Sequence, residues 1–147
     1  MKQRSTVLAA LAAASVAGVV ASAIPGAAAP TSGPVPPAHL GAVLVGGNEV
    51  DPGDPDGYCL ADVWVARGEV CWRITVTAVE PIAAAHIHAG PSRVAGPVVV
   101  PLEPFGKGCV DVERRLARFI KQHPSQFYVN VHNAEFPAGA LRGQLRS

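Results

Sequence analysis

Two stretches with β-strand alternation decide the fold: AAHIHAG at residues 84–90 and FYVNVHN at residues 127–133. Successive side chains of a strand point to opposite faces of its sheet, so His86 and His88 share one face while the intervening isoleucine takes the other. In the second stretch the valines take the apolar face and His132 takes the polar one. The pattern predicts two strands whose aliphatic sides form the core and whose histidines lie outside it.

Other runs of alternating apolar residues, separated by Pro, Gly and Asn turn signals, bring the number of predicted short strands to seven. The clearest pair forms a hairpin that turns at residues 67–68. Its register sets Asp62 opposite Arg73 and Trp64 opposite Cys71. Regularly spaced short strands of this kind are typical of an all-β protein, here an antiparallel β-sandwich.

One segment interrupts the strand pattern with helical spacing. Asp111 is placed to cap a short helix that ends before Pro124, and its apolar face would hold Val112, Leu116, Phe119 and Ile120. The prediction is therefore an all-β fold with one short helix.

The N-terminus has the pattern of a secretory signal peptide. Basic side chains precede an apolar run that ends in a small-x-small site at Ala23. The run is shorter than the ~20 apolar residues that a bilayer span needs, so we expect cleavage after Ala23, or alternatively near Ala28. The expected organisation is a signal peptide over residues 1–23, a Pro/Ala/Gly-rich disordered leader over 24–38 and a folded domain over 39–147. No membrane span is expected once the signal is removed.

Charge and composition exclude several functional classes. The full chain has a formal net charge of +1, and removal of the signal peptide would leave ten basic and eleven acidic side chains. This balance argues against electrostatic binding of nucleic acid. The sequence has no nucleophile elbow, no carboxylate pair in apolar surroundings and no glycine-rich phosphate loop. We therefore expect a secreted protein that is not an enzyme.

Three cysteines in an exported chain predict one disulfide and one remaining thiol. In the predicted hairpin, Cys59 lies about five positions, or ~16 Å, from Cys71 and on the other face, which is beyond the reach of a disulfide. Cys109 is therefore the shared partner. Spacing alone leaves both Cys71–Cys109 and Cys59–Cys109 open.

His86, His88 and His132 form the candidate metal site. Neutral imidazoles are common ligands of zinc and copper, and three of them would leave an open position for water. The His-x-His pair on a strand is similar to the copper-binding pair of Cu/Zn superoxide dismutases, which also have a sandwich architecture. In the alternative interpretation these side chains hydrogen-bond to loops such as residues 90–96 and hold the rim of the sheet. No other cofactor is expected.

The chain resembles the chordin-type (CHRD) domain family over residues 40–145. Five sequence words in order carry the resemblance: GNEV at 47–50, AHIH at 85–88, GPVVV at 96–100, YVNVH at 128–132 and RGQL at 142–145. The resemblance implies an antiparallel immunoglobulin-like β-sandwich in a secreted, single-domain protein of bacterial type. It also implies a Cys71–Cys109 disulfide, because similar sequences often carry a cysteine in each of these settings. Glu49 and Arg142 lie in the shared words, and we expect them to form an ion pair where the first and last strands meet.

The resemblance implies a role outside the cell and brings no established catalytic activity. We therefore predict a non-enzymatic extracellular interaction or structural module, whose unidentified partner is an extracellular or cell-envelope protein. The alternative is a zinc or copper protein that uses His86, His88 and His132, with redox activity like that of a superoxide dismutase.

Overall fold

The structure, a computed structural model, describes residues 35–79 and 81–147. The predicted signal peptide at residues 1–23 and the predicted leader as far as residue 34 lie outside the described residues. The strands are β1 (Ala38–Val45), β2 (Tyr58–Val65), β3 (Glu69–Thr77), β4 (Ile82–Ala89), β5 (Val98–Pro101), β6 (Lys107–Asp111), β7 (Phe127–Asn133) and β8 (Leu141–Gln144). The single α-helix of this part of the chain, α1, spans Arg114–Gln122.

The described strands form one antiparallel sheet with the order β5-β4-β7-β8-β1-β2-β3-β6. The sheet curls so that one face encloses the core. β1 and β8 join its two halves through the pair Val45 and Arg142 and a bridge between Gly41 and Arg146. The all-β, antiparallel prediction is confirmed. The immunoglobulin-like sandwich is not, because the β1–β8 pairing makes one continuous sheet where a sandwich has two.

The predicted hairpin is confirmed in its register. β2 and β3 place Asp62 opposite Arg73 and Trp64 opposite Cys71. Gly68 takes a φ of +98° in the turn, a left-handed conformation that glycine adopts without steric penalty. Alternate aliphatic side chains of the two strands, Val63 and Val65 on β2 and Val70 and Ile74 on β3, point into the core.

The segment before the helix differs from the prediction. Lys107–Asp111 forms β6 and pairs with the free edge of β3, so Asp111 belongs to a strand and the expected cap is wrong. The helix is preceded by Glu113, which makes no side-chain capping bond, and it buries Ala117 and Ile120. A five-residue strand that contains one glycine shows too little alternation of apolar and polar residues to be recognised in the sequence. Its position in the sheet is set by pairing with β3.

The core is a continuous aliphatic cluster lined by residues from strands across the sheet and by the inner face of α1. Its fully buried side chains include Leu40, Leu44, Val63, Val65, Val70, Ile87, Leu102, Ile120, Val129, Val131, Leu141 and Leu145. Burial of each such side chain contributes about 1.5–3 kcal/mol, which makes this cluster the main source of stability. In residues 35–79 and 81–147, no helix is long and apolar enough to cross a membrane.

Candidate metal centre

The three candidate histidines lie on neighbouring strands. β4 and β7 pair antiparallel, with His86 opposite Asn130 and Ala84 opposite His132. His132 is therefore the diagonal neighbour of His86, a position from which cross-strand side chains reach each other. His88 stands two residues further along β4 on the same face. The predicted placement of all three on one surface is confirmed.

The imidazoles converge. His86 Nδ1 lies 3.3 Å from His132 Nε2, and one ring nitrogen of each histidine can be chosen so that all three lie within 4.8 Å of one another. Nitrogens around a shared zinc at 2.0–2.1 Å are separated by about 3.3–3.6 Å. One pair of nitrogens already has this separation, and a small adjustment of the remaining ring would complete the set.

Backbone carbonyls select the tautomers of two of these rings. His88 Nδ1 lies 2.8 Å from the Gly96 carbonyl oxygen, and His132 Nδ1 lies 3.0 Å from that of Pro137. A carbonyl oxygen only accepts hydrogen bonds, so each Nδ1 must carry the proton and donate it. In the neutral rings each Nε2 therefore carries a lone pair: that of His88 has no partner, whereas that of His132 can accept a hydrogen bond from His86 Nδ1 at 3.3 Å. Metal-binding histidines in proteins are oriented by the same kind of contact.

Two observations favour neutral imidazoles that are free to bind an ion. Nε2 of His88 is buried and has no hydrogen-bond partner. Burial lowers the pKa of His86 and of His88 below 6.5, and the neighbouring His132 lowers both further. Glu103 opposes the shift of the His86 pKa, and the Gly96 carbonyl opposes that of His88. Three imidazole nitrogens around one point can hold zinc or copper with a coordination position left open.

A family model described as CHRD domain matches residues 40–145. The chain belongs to the CHRD domain family. Searches of curated proteins and of solved structures found no match to this chain. The matched region of this CHRD domain runs from β1 to just beyond β8 and includes all three histidines.

The expected ion pair between Glu49 and Arg142 is not formed. Among the described residues the only carboxylate within 4.0 Å of a side-chain nitrogen of Lys, Arg or His is that of Asp62, which lies 2.8 Å from His39 Nε2. Arg142 instead donates to the Pro91 and Val94 carbonyls, at 2.8 and 3.0 Å. The expectation rested on the complementarity of carboxylate and guanidinium, and it was wrong because loop carbonyls accept the hydrogen bonds of Arg142 instead.

Glu49 lies in the same buried polar layer as Arg142, without direct contact. Its carboxylate accepts a hydrogen bond from the Asn130 amide. Burial raises the pKa of Glu49 to about 7, although the positive charge of Arg142 and the Asn130 hydrogen bond act in the opposite direction. The charge of Arg142 therefore influences Glu49 through space.

The cysteines lie away from the histidine cluster. Cys71 and Cys109 are directly opposite each other on β3 and β6 and form a disulfide, the pairing that the resemblance implies. The two sulfurs stand beside Glu69, but bridged cysteines offer no thiolate to a metal. Cys59 is free and fully buried, and burial raises its thiol pKa to about 11. A thiol in that state is unreactive.

The sequence did not reveal how deeply the polar face of β7 is buried. Tyr128 and Asn130, expected on a polar surface, are each only 3% exposed. The loop of residues 90–97 (the 90–97 loop) packs over Tyr128, and the segment before β2 brings Glu49 to Asn130. The glycines and prolines directly after the His-x-His pair could have indicated this burial, because a loop rich in these residues can fold back closely on its own strand.

Proposed function

We propose that this CHRD domain is an exported, non-enzymatic binding module that holds one zinc or copper ion through His86, His88 and His132. Family membership and the Cys71–Cys109 disulfide support a role outside the cytoplasm, because disulfides persist in oxidising compartments. The signal-peptide pattern at residues 1–23 agrees with this location.

One observation carries the metal assignment: Nε2 of His88 is buried and unpartnered, and His88 belongs to a cluster of three histidines whose ring nitrogens lie within 4.8 Å of one another. An unsatisfied buried acceptor costs about 1–3 kcal/mol, so a partner for this nitrogen is favoured. A metal ion accepts the lone pair and removes the penalty. The two carbonyl contacts at Nδ1 support the same assignment, since they orient the rings of His88 and His132.

The donor set suits both zinc and copper. Imidazole nitrogen is a ligand of intermediate softness that binds either ion, and three protein ligands leave room for water or a small molecule. With copper in such an open position, one-electron chemistry resembling that of superoxide dismutase is the alternative to a non-enzymatic role. An assay for superoxide consumption by the copper-loaded protein tests it, and activity no greater than that of free copper would exclude it.

The test of metal binding uses protein exported by a bacterial host and purified without a polyhistidine tag, because such a tag binds the same ions. Zinc and copper are titrated separately, and binding is followed by calorimetry. We expect one ion per chain and loss of that ion in His132→Ala. The matched control is His39→Ala, since His39 pairs with Asp62 away from the cluster. Unchanged binding in His132→Ala, or equal loss in His39→Ala, would contradict the proposal.

An exposed apolar surface favours a protein partner as a second candidate function. Val43 and Leu60 face each other across β1 and β2 and are 52% and 42% exposed. Exposed aliphatic pairs on a sheet are suited to contact with another protein. We expect the partner to be an extracellular or cell-envelope protein. Retention on the cell envelope should fall in a Val43→Lys, Leu60→Lys variant and persist in His132→Ala; equal retention of both would exclude this surface.

A further inference from the structure

We propose that Tyr128 is a positioning residue for the metal ligand His88, and that Arg142 supports Tyr128 from the neighbouring strand. This inference rests on the proposed metal function. It assigns a role to two side chains that lie in the sequence motifs shared with the family. Neither side chain contacts the metal.

Tyr128 contacts His88 in two ways. Its ring stacks on the imidazole with a centroid distance of 4.9 Å and an interplanar angle of 12°. Its hydroxyl oxygen accepts a hydrogen bond from the Gly96 backbone N–H at 3.1 Å. The ring therefore limits the plane of the imidazole, while the hydroxyl holds the residue whose carbonyl accepts the His88 Nδ1 proton.

Gly96 links the two side chains and packs closely against the end of β4. A Cβ atom at this position would lie 1.6 Å from the Ala89 carbonyl oxygen, so the backbone approaches β4 more closely than any other residue type would permit. The Ala89 N–H also donates to the Pro97 carbonyl at 3.0 Å. The Gly96 carbonyl is thus presented to His88 from a fixed backbone, and the Tyr128 hydroxyl is one of its anchors.

Arg142 holds the arrangement from the other side of Tyr128. The strand order β4-β7-β8 puts Tyr128 between His88 and Arg142. The guanidinium carbon lies 3.4 Å from the centroid of the Tyr128 ring, which is a cation–π contact. The same guanidinium donates to the Pro91 and Val94 carbonyls of the 90–97 loop. Arg142 therefore fixes both the tyrosine ring and the loop that carries Gly96.

The consequence for metal binding follows from the tautomer of His88. Only the form with its proton on Nδ1 presents a lone pair at Nε2, the buried nitrogen that has no hydrogen-bond partner. If the Gly96 carbonyl moves away, the ring can take the other tautomer or rotate, and the affinity for the ion falls. Changes to such supporting contacts in metal sites typically weaken metal binding by about 10–100-fold.

The test compares Tyr128→Phe with Tyr58→Phe, a control in which the same hydroxyl is removed from an exposed tyrosine on β2. Tyr128→Phe keeps the stacked ring and loses only the acceptor for the Gly96 N–H. We expect zinc affinity about tenfold lower in Tyr128→Phe and unchanged in Tyr58→Phe. Arg142→Lys keeps the positive charge but loses the planar guanidinium group. It should weaken zinc binding by at least as much as Tyr128→Phe. Wild-type affinity in Tyr128→Phe would overturn the proposal.

A second measurement separates positioning from general loss of structure and needs no metal. Nitrogen-15 NMR of the imidazoles reports which nitrogen of His88 carries the proton. We expect the Nδ1–H form in the wild type and in Tyr58→Phe, and a mixture of tautomers in Tyr128→Phe. An unchanged His88 tautomer in Tyr128→Phe would contradict the positioning role even if the variant were less stable. A wild-type protein with the expected tautomer and no zinc binding would instead refute the proposed function alone.

Discussion

The Glu49 carboxylate accepts a hydrogen bond from the Asn130 amide within the fold, at a position where burial raises the pKa of Glu49 to about 7. Arg142 and Asn130 favour the ionised carboxylate, whereas burial and the charge of Asp51 disfavour it. Because burial outweighs the favourable contacts, the folded protein retains a proton that the unfolded chain releases near pH 4.5. Glu49 thereby links stability to pH.

The linkage predicts a fall in stability between about pH 4.5 and pH 7. Below this window Glu49 is protonated in both states, and its contribution to stability is fully present. As the pH rises through the window, the unfolded chain ionises first, so the free energy of unfolding decreases by about 3 kcal/mol. Glu49→Gln keeps an acceptor for Asn130 and cannot ionise, so it should remove this part of the pH dependence.

Denaturant unfolding of the wild type and Glu49→Gln across this pH range measures the effect. Glu135→Gln is the control, because Glu135 is exposed. The difference in free energy of unfolding between the wild type and Glu49→Gln should grow with pH and level off above about pH 7. A constant difference across the range would show that Glu49 ionises in the folded protein as it does in the unfolded chain.

The disulfide predicts a measurable loss of stability on its removal. Cys71 and Cys109 are separated by 38 positions in the sequence, and closing a loop of this length stabilises the folded state by about 3–4 kcal/mol in the chain-entropy model. A Cys71→Ser, Cys109→Ser variant should show that decrease in urea unfolding. Peptide mapping of the unreduced wild type should recover the Cys71–Cys109 pair and a free Cys59. A bridge that includes Cys59 would contradict the observed strand pairing.

Gly108 provides a test of the β3–β6 packing. A Cβ atom at this position would lie 2.6 Å from the Trp72 ring, so Gly108→Ala should displace either the indole or β6. Overpacking of this kind costs about 1–3 kcal/mol. Gly47→Ala is the control, because no atom lies within 4 Å of its added Cβ. Equal unfolding midpoints for the two variants would mean that Trp72 does not pack against β6.

The sequence predicted those parts of the fold and site that depend on local periodicity. Period-two spacing was sufficient to put His86 and His88 on one face, and the turn at residues 67–68, supported by the opposite charges of Asp62 and Arg73, was sufficient for the β2–β3 register. Both follow from the alternation of side chains along a strand, which a single sequence records directly.

Features set by long-range pairing could not be predicted in the same way. β6 was missed because its position depends on the free edge of β3, and the single sheet was missed because β8 meets β1 through two residue pairs. The carbonyls of Gly96 and Pro137 have no side-chain signature, so their contacts with His88 and His132 become visible only in the folded chain. For the same reason the hydrogen-bond acceptors of the Arg142 guanidinium were wrongly predicted.

The most direct test of the metal assignment is anomalous X-ray scattering from crystals of the zinc-loaded protein, measured on both sides of the zinc absorption edge. We predict one peak per chain, bound by His86 Nδ1, His88 Nε2 and His132 Nε2 at about 2.0–2.1 Å, with water or another small ligand in the fourth position. The Gly96 and Pro137 carbonyls should still accept from His88 and His132. A zinc peak at any other place, or no peak within reach of these three rings, would contradict the central claim.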